Sequence, residues 1–580
     1  MRRQSREFDR RRRFKWALIK IGVVLAMLAA LIFGAVYMVD SFLSSRRESI
    51  FTLYPELSRT QVNVVLNGEI IITETPPIVQ GSDIFLPVDF INEHISLYTF
   101  WDRAENVIIT TETQVRRYRI GQLEYTHNGE PRLLSEPFIE RNGMMFIPQS
   151  FAQQEYNVII AYHPEHMIIT IDDAAVARTH AQLTADGRLR TRPDRHAHYM
   201  EEVFSGDTVV LIEETDGGNF WRVRSANAIE GYVQSRLFGE RTVVSAVVPE
   251  PEQPLNRKQP LEYPIVLLWD VLFADRNFWD VAPEVTIISP KWFEFQTEPV
   301  IDGTIIDLGN RAYVDFAHAN GRMVWPMLTD NFSSAVSHAV LTDTETRQFV
   351  IEQILEFIVR YNLDGINVDY EAVRADFSPY FIQFLRELRP PMHELGAHLS
   401  VALFVPRYTM FMNRTEIAKT VDYIAVMAYD EHWHGSPEPG PVASLPFVEE
   451  GITLTMNEAP AEMIIMGLPF YVRIWRETTH QDGSRSHTIR NVSMNLARSI
   501  FTEGGATFTW LDYIGSYYAE FPSADYPNVM YRVWLECERS ISHKLNIARD
   551  YNLAGVAGWR GWLENPATWG AIANYIEEMR

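Results

Sequence analysis

The chain reads as a multidomain protein whose C-terminal half is an α/β (β/α)8 TIM barrel, and three observations predict it. First, strand candidates recur at Ile265–Phe273, Val285–Ser289, Met323–Leu328, Gly365–Glu371, Leu399–Val405, Tyr423–Tyr429, Ile464–Leu468 and Gly555–Trp559. Second, amphipathic runs such as Thr344–Tyr361 and Pro379–Leu395 lie between them, as crossover helices do in a parallel barrel. Third, the fourth strand candidate ends in acids, and acids at the C-terminal end of a parallel strand mark the mouth where such barrels place their chemistry.

That fourth segment is Leu363-Asp364-Gly365-Ile366-Asn367-Val368-Asp369-Tyr370-Glu371. Strand alternation sends Ile366, Val368 and Tyr370 toward the covering helices. Gly365, Asn367, Asp369 and Glu371 then climb the inner face in steps of roughly 6.6 Å, two strand rises each. An uncompensated buried charge costs several kcal/mol, so folding alone does not favour an acidic ladder.

The spacing resembles the Asp-x-x-Asp-x-Asp-x-Glu signature of glycoside hydrolase family 18, the chitinase-like enzymes. Asp364, Asp369 and Glu371 are in place, and Asn367 stands where most of that family has Asp. The resemblance covers residues 262 to 580, and the ladder falls on the fourth strand in the family as here. It implies substrate-assisted hydrolysis, in which the substrate's own 2-acetamido oxygen is the nucleophile. Glu371 is then the general acid, Asp369 the partner of the acetamide N–H, and Tyr429 a donor to the acetamide oxygen. Met427-Ala428-Tyr429-Asp430 matches the family's sixth-strand pattern. Its extension Glu431-His432-Trp433 resembles the branch of spore-cortex and peptidoglycan N-acetylglucosaminidases. Asn367, Met427, Asp430, Trp559 and Trp292 are the expected substrate-binding residues, Trp559 as the floor of the sugar pocket. His432 and His434 have no third ligand at metal spacing, so neither metal nor cofactor is expected.

The first twenty residues carry nine Lys/Arg against Glu7 and Asp9, a local charge of +7. Subtracting that from the overall −23 leaves −30 on the remainder, a poor partner for nucleic acid. Ile21 to Val39 contains no charged residue, and nineteen helical residues span about 28 Å, close to a bilayer core. Residues 1–20 thus read as a basic cytoplasmic tail, 21–39 as an uncleaved signal anchor in the lipid bilayer and 40–59 as a linker, a cleaved signal peptide with its usual apolar region of ~7–15 residues being the competing reading. The only cysteine is Cys537, and an exported chain without disulfides suggests a Gram-positive-type cell surface.

Residues 60–173 hold an internal repeat. Asn67-Gly68-Glu69 returns as Asn128-Gly129-Glu130, Phe85-Leu86-Pro87 as Phe146-Ile147-Pro148, and Val107–Thr110 as Met167–Thr170. The pattern resembles the tandem copper amine oxidase N-terminal-like module of bacterial wall proteins, an α+β unit. Residues 178–240 resemble the small all-β bacterial Src-homology-3-like barrel, through Gly206-Asp207 and Trp221 above all. A Pro-rich linker at 241–262 leads into the barrel at 263–580. The combined expectation is a membrane-anchored extracellular hydrolase cleaving after N-acetylglucosamine in peptidoglycan. Chitin or N-glycan is the alternative substrate, and a non-catalytic wall-glycan binder is the alternative class. Such binders usually lose the acid at the position of Glu371, and this chain keeps it.

Overall fold

The structure, a computed structural model, describes residues 2–44, 46–102, 106–248, 261, 263–271 and 282–580. Pro249, Pro251, Pro254 and Pro260 of the expected linker lie outside the described residues. The chain divides into two compact units: Met1–Leu97 with Ile120–Leu123 and Leu133–Pro251, and Tyr98–Arg119 with Glu124–Arg132 and Glu252–Arg580.

In the first unit a helix runs Arg2–Ser44, and its segment Lys15–Val39 is long and apolar enough to cross a membrane by length and composition. The two Phe-x-Pro repeats pair with each other antiparallel, Phe146 against Pro87 and Pro148 against Phe85. Each then leads into a short helix, Val88–His94 and Gln149–Glu155, with the proline at the N-cap. A second sheet sets Asn63–Leu66 parallel to Ile168–Asp173. Strands between Arg178 and Val244 form one antiparallel seven-stranded sheet, an all-β element.

The second unit is built on a closed parallel barrel. Its strands are β1 (Ile265–Asp270), β2 (Ile287–Phe295), β3 (Met323–Val324 and Met327–Thr329), β4 (Gly365–Asp369), β5 (His398–Phe404), β6 (Tyr423–Met427), β7 (Ile464–Pro469) and β8 (Gly555–Trp559). β1 pairs with both β2 and β8, which closes the ring. The predicted strand Ile265–Phe273 thus ends three residues early, its last two residues lying outside the described set. β6 and β7 are buried along their whole length, as expected of strands covered on both faces. The helix Thr344–Tyr361 forms where its periodicity predicts. The Asp343 carboxylate accepts the Thr346 N–H at 2.8 Å to start it, and Asn362 in the left-handed region ends it.

Between β7 and β8 the chain inserts a subdomain that the strand count does not anticipate. Five antiparallel strands, among them Tyr471–Thr479 and Val529–Leu535, pack with the helix Met494–Glu503. A separate antiparallel sheet, Thr99–Trp101, Asn106–Thr110, Val115–Arg119 and Glu124–His127, packs on the barrel's helices. There Arg117 Nη2 donates to Glu387 at 2.7 Å, and Phe100 meets Tyr380 edge-on with ring centroids 5.5 Å apart. Glu387 is fully buried and also accepts from Arg347 and Gln383.

Candidate active site

On β4 the alternation holds. Tyr370 points outward and stacks on Phe381 and Phe384 of the helix Ser378–Glu394, with ring centroids 5.6 and 5.9 Å apart. Gly365 sits at the inner base because a Cβ there would fall 2.8 Å from the Trp325 ring and 2.6 Å from the His398 carbonyl oxygen. Below the mouth, Asp364 accepts from His318 Nε2 at 2.8 Å and from the Val324 N–H at 2.9 Å, which ties β3 to β4.

At the mouth a cavity of about 190 Å3 is lined by Trp269, Phe332, Asp369, Glu371, Phe404, Met427, Tyr429, Asp430 and Trp559. Six of the eight expected residues therefore meet there: Asp369, Glu371, Met427, Tyr429, Asp430 and Trp559. Trp559 shares the apolar wall with Trp269 of β1, the two rings edge-on at 5.7 Å. Tyr429 is buried, and its ring fits because residue 467 is glycine; a Cβ there would sit 2.9 Å from it. Asp430, in the left-handed region, accepts from Arg473 Nη2 at 2.7 Å and from the Tyr471 hydroxyl.

Two expectations are corrected. Trp292 is fully buried on the outer face of β2, against Tyr313 and Tyr361, where the register shifts between Lys291 and Phe293 and Lys291 takes the inward position instead. Asn367 lies under the cavity, not in its lining. Its Oδ1 accepts from Trp269 Nε1 at 3.0 Å, and its Nδ2 donates to Ser400 Oγ at 2.9 Å. With both polar ends engaged, Asn367 acts on the pocket by holding Trp269.

The acids are strongly perturbed. Burial, then the charges of Asp369, Asp330 and Asp430, push Glu371 up to about 9. Burial and then Asp330 push Asp369 up to about 7, partly opposed by Lys291. Asp369 Oδ1 is buried without a hydrogen-bond partner among the described residues. A protonated Glu371 at neutral pH is what a proton donor requires.

Sequence reasoning missed Trp269, Phe332, Phe404, Arg473 and Asp330. Asp330 follows β3 and is 1% exposed. It accepts from Ser337 Oγ at 2.6 Å and from the backbone N–H groups of Ala372 and Phe332 at 2.7 and 3.1 Å. One carboxylate thereby fixes the loop bearing Phe332 and the backbone just after Glu371. Trp269 had a signal, since alternation from Leu267 places it on the inner face of β1; Asp330 had none.

Fold and site together define a (β/α)8 enzyme with two carboxylates of strongly raised proton affinity at the C-terminal end of its fourth strand. The profile of glycosyl hydrolases family 18 matches residues 325–561, and that of the copper amine oxidase N-terminal domain matches residues 64–171. The barrel thus carries a glycosyl hydrolases family 18 domain, and the chain is a glycosidase. YdhD, a candidate sporulation-specific glycosylase of Bacillus subtilis (strain 168), is 29% identical over 296 residues, covering 48% of this chain and 67% of that protein. The cortical fragment-lytic enzyme of the same strain is 27% identical over 256 residues, covering 43% of this chain. This chain spans only 58% of that relative's length. The solved structure of the Bacillus cereus spore cortex-lytic enzyme SleL aligns with a TM-score of 0.47 at 21% identity, covering 54% of this chain and 74% of that one.

Proposed function

We propose that the protein is a membrane-anchored, extracellular N-acetylglucosaminidase that cleaves the β-1,4 bond after N-acetylglucosamine in peptidoglycan, with retention. The observation that carries this reading is the meeting of the buried Asp369 with Glu371 and Tyr429 in one cavity. Glu371, held protonated by burial and by its acidic neighbours, donates to the departing glycosidic oxygen. The substrate's acetamide oxygen then closes on the anomeric carbon, and Asp369 Oδ1, which lacks a partner, accepts the acetamide N–H. Tyr429 donates to the acetamide oxygen, and the indoles of Trp269 and Trp559 take the apolar face of the sugar. After departure Glu371 is the base that activates water.

Peptidoglycan is favoured over chitin by the resemblance to the cortex-active branch and by the name of a relative that acts on cortical fragments. The basic segment before Lys15–Val39 is assigned to the cytoplasm and everything after it to the exterior. The N-terminal β-rich segments are assigned as spacers or wall contacts.

Digestion of peptidoglycan, chitin oligomers and N-glycan in parallel, with mass spectrometry of new reducing ends, tests the assignment. The expected result is N-acetylglucosamine at the new reducing end of peptidoglycan fragments, blocked by a thiazoline analogue of the cyclised intermediate. A covalent glycosyl adduct on Asp369 or Glu371 would overturn the mechanism, and cleavage of chitin alone would overturn the substrate.

A further inference from the structure

The mouth of the barrel is acidic. Asp369, Glu371 and Asp430 line the cavity, Asp330 lies beside them, and Glu294 stands on the neighbouring strand β2. The whole chain carries −23. Glu371 is held protonated and Asp430 is paired with Arg473, so the repulsion comes from Asp369, Asp330 and the net charge of the chain. A glycan bearing carboxylates is best received where a cation meets its own charge.

Lys291 is such a cation. It is in register with Met327, which is in register with Asn367, so its side chain enters the barrel on the inner face that carries the acids. It stands part-exposed, with Nζ 6.0 Å from the ring centroid of Phe332. Phe332 is itself part of the cavity wall, so Lys291 lies just past that wall on the β2–β3 side. Glu294 pairs with the ammonium, and an ammonium has three N–H donors, so others remain for a ligand. The cavity, about 190 Å3, suits one sugar ring, and the next sugar of a polymer must leave it across such a wall.

We propose that Lys291 is a carboxylate-recognition subsite, binding a carboxylate on the sugar that adjoins the cleaved N-acetylglucosamine. The inference rests on the peptidoglycan reading and names the chemistry by which that site selects it. Two carboxylates have this position: the lactyl acid of muramic acid in strands stripped of peptide, and an acid of the stem peptide where the lactyl group is amide-linked. N-Acetylglucosamine polymers have neither.

The test compares kcat/KM on peptide-free glycan strands, the same strands with their carboxyls amidated, peptide-bearing strands and N-acetylglucosamine oligomers. Ratios between substrates are read, so that any effect of Lys291 on Asp369 cancels. The wild type is expected to prefer the acid over its amide about tenfold at low salt, the scale of one charge-assisted contact, and less as salt rises. Lys291→Met should bring that ratio to about one, and Lys291→Arg should keep most of it. Preference for stripped strands identifies the lactyl acid, and preference for peptide-bearing strands identifies the stem. An unchanged ratio in Lys291→Met, or equal losses on all substrates, overturns the proposal. Should that variant not fold, a wild-type ratio of one between acid and amide overturns it equally. Cleavage of N-acetylglucosamine oligomers with no cleavage of any muramic-acid strand instead overturns the peptidoglycan reading.

Discussion

Asn367→Asp restores the acid that most of the family carries, at a position where this chain has built an amide network. The new carboxylate lies two residues below Asp369 on β4, roughly 6.6 Å away along the strand. At an effective dielectric of about 20 the repulsion is about 2.5 kcal/mol, or roughly two pH units, an upper bound because the two acids share protons. Asp369 already titrates far above an ordinary carboxylate through burial and Asp330. The variant should therefore lose activity at a higher pH on descent than the wild type does, by up to that amount. It should also be less stable. Aspartate has no N–H for Ser400 Oγ, and if the Ser400 hydroxyl turns to it, the Ile366 carbonyl oxygen loses its own 3.2 Å contact. The folded-state pKa of the new acid is raised, so the deficit is absent below about pH 4 and grows as pH rises toward neutrality. The assay is the pH profile of kcat/KM on a fluorogenic N-acetylglucosamine glycoside, with thermal unfolding at pH 4 and 7. An acidic limb that stays in place or moves down refutes the coupling.

Glu371→Gln should cut turnover by about two orders of magnitude or more, the scale of a lost general acid. It should also stabilise the fold. The raised pKa of Glu371 means that its ionisation, free in the unfolded chain above about pH 4, draws stability away as pH rises toward its folded value. The gain should be about 1–3 kcal/mol at pH 7 and vanish near pH 4, read by chemical denaturation. Arg117→Ala removes one of the three donors to the buried Glu387 and should cost about 1–3 kcal/mol of stability, with Glu387→Gln in the same background recovering part. Protease added to intact protoplasts should remove the barrel, and a protected full-length chain would reverse the proposed topology.

The ladder of β4 and the count of barrel strands were legible because both rest on local period: two along a strand, 3.6 along a helix. Tyr370 turned outward and Asp369 inward for that reason alone. What escaped depended on partners far along the chain. Asn367 was expected to bind substrate, and its own strand gives no sign that Trp269 and Ser400 occupy its amide instead. Trp292 drew attention as an aromatic beside a strand end, whereas the inward position fell to its neighbour Lys291. The five-stranded insertion after β7 has no matching signal in a count of barrel strands, since its strands pair only with one another.

The amide at 367 and the carboxylate at 330 are two halves of one arrangement. Trp269 Nε1 needs an acceptor and Ser400 Oγ is offered a donor, and only an uncharged amide meets both from one side chain. An acid there would stand as a fourth buried carboxylate beside Asp330, Asp369 and Glu371, each already raised by burial. Asp330 is tolerable in that company because hydroxyl and backbone N–H groups compensate its charge. Asp330, just after β3, therefore adds its charge to the burial that raises Asp369 and, with Asp369, to that which raises Glu371, and it also fixes the backbone after Glu371. The inner face of β4 is left to position the indole. Proton affinity and sugar stacking are thereby assigned to different strands, so Asp330→Asn and Trp269→Phe bear on separable properties of one cavity.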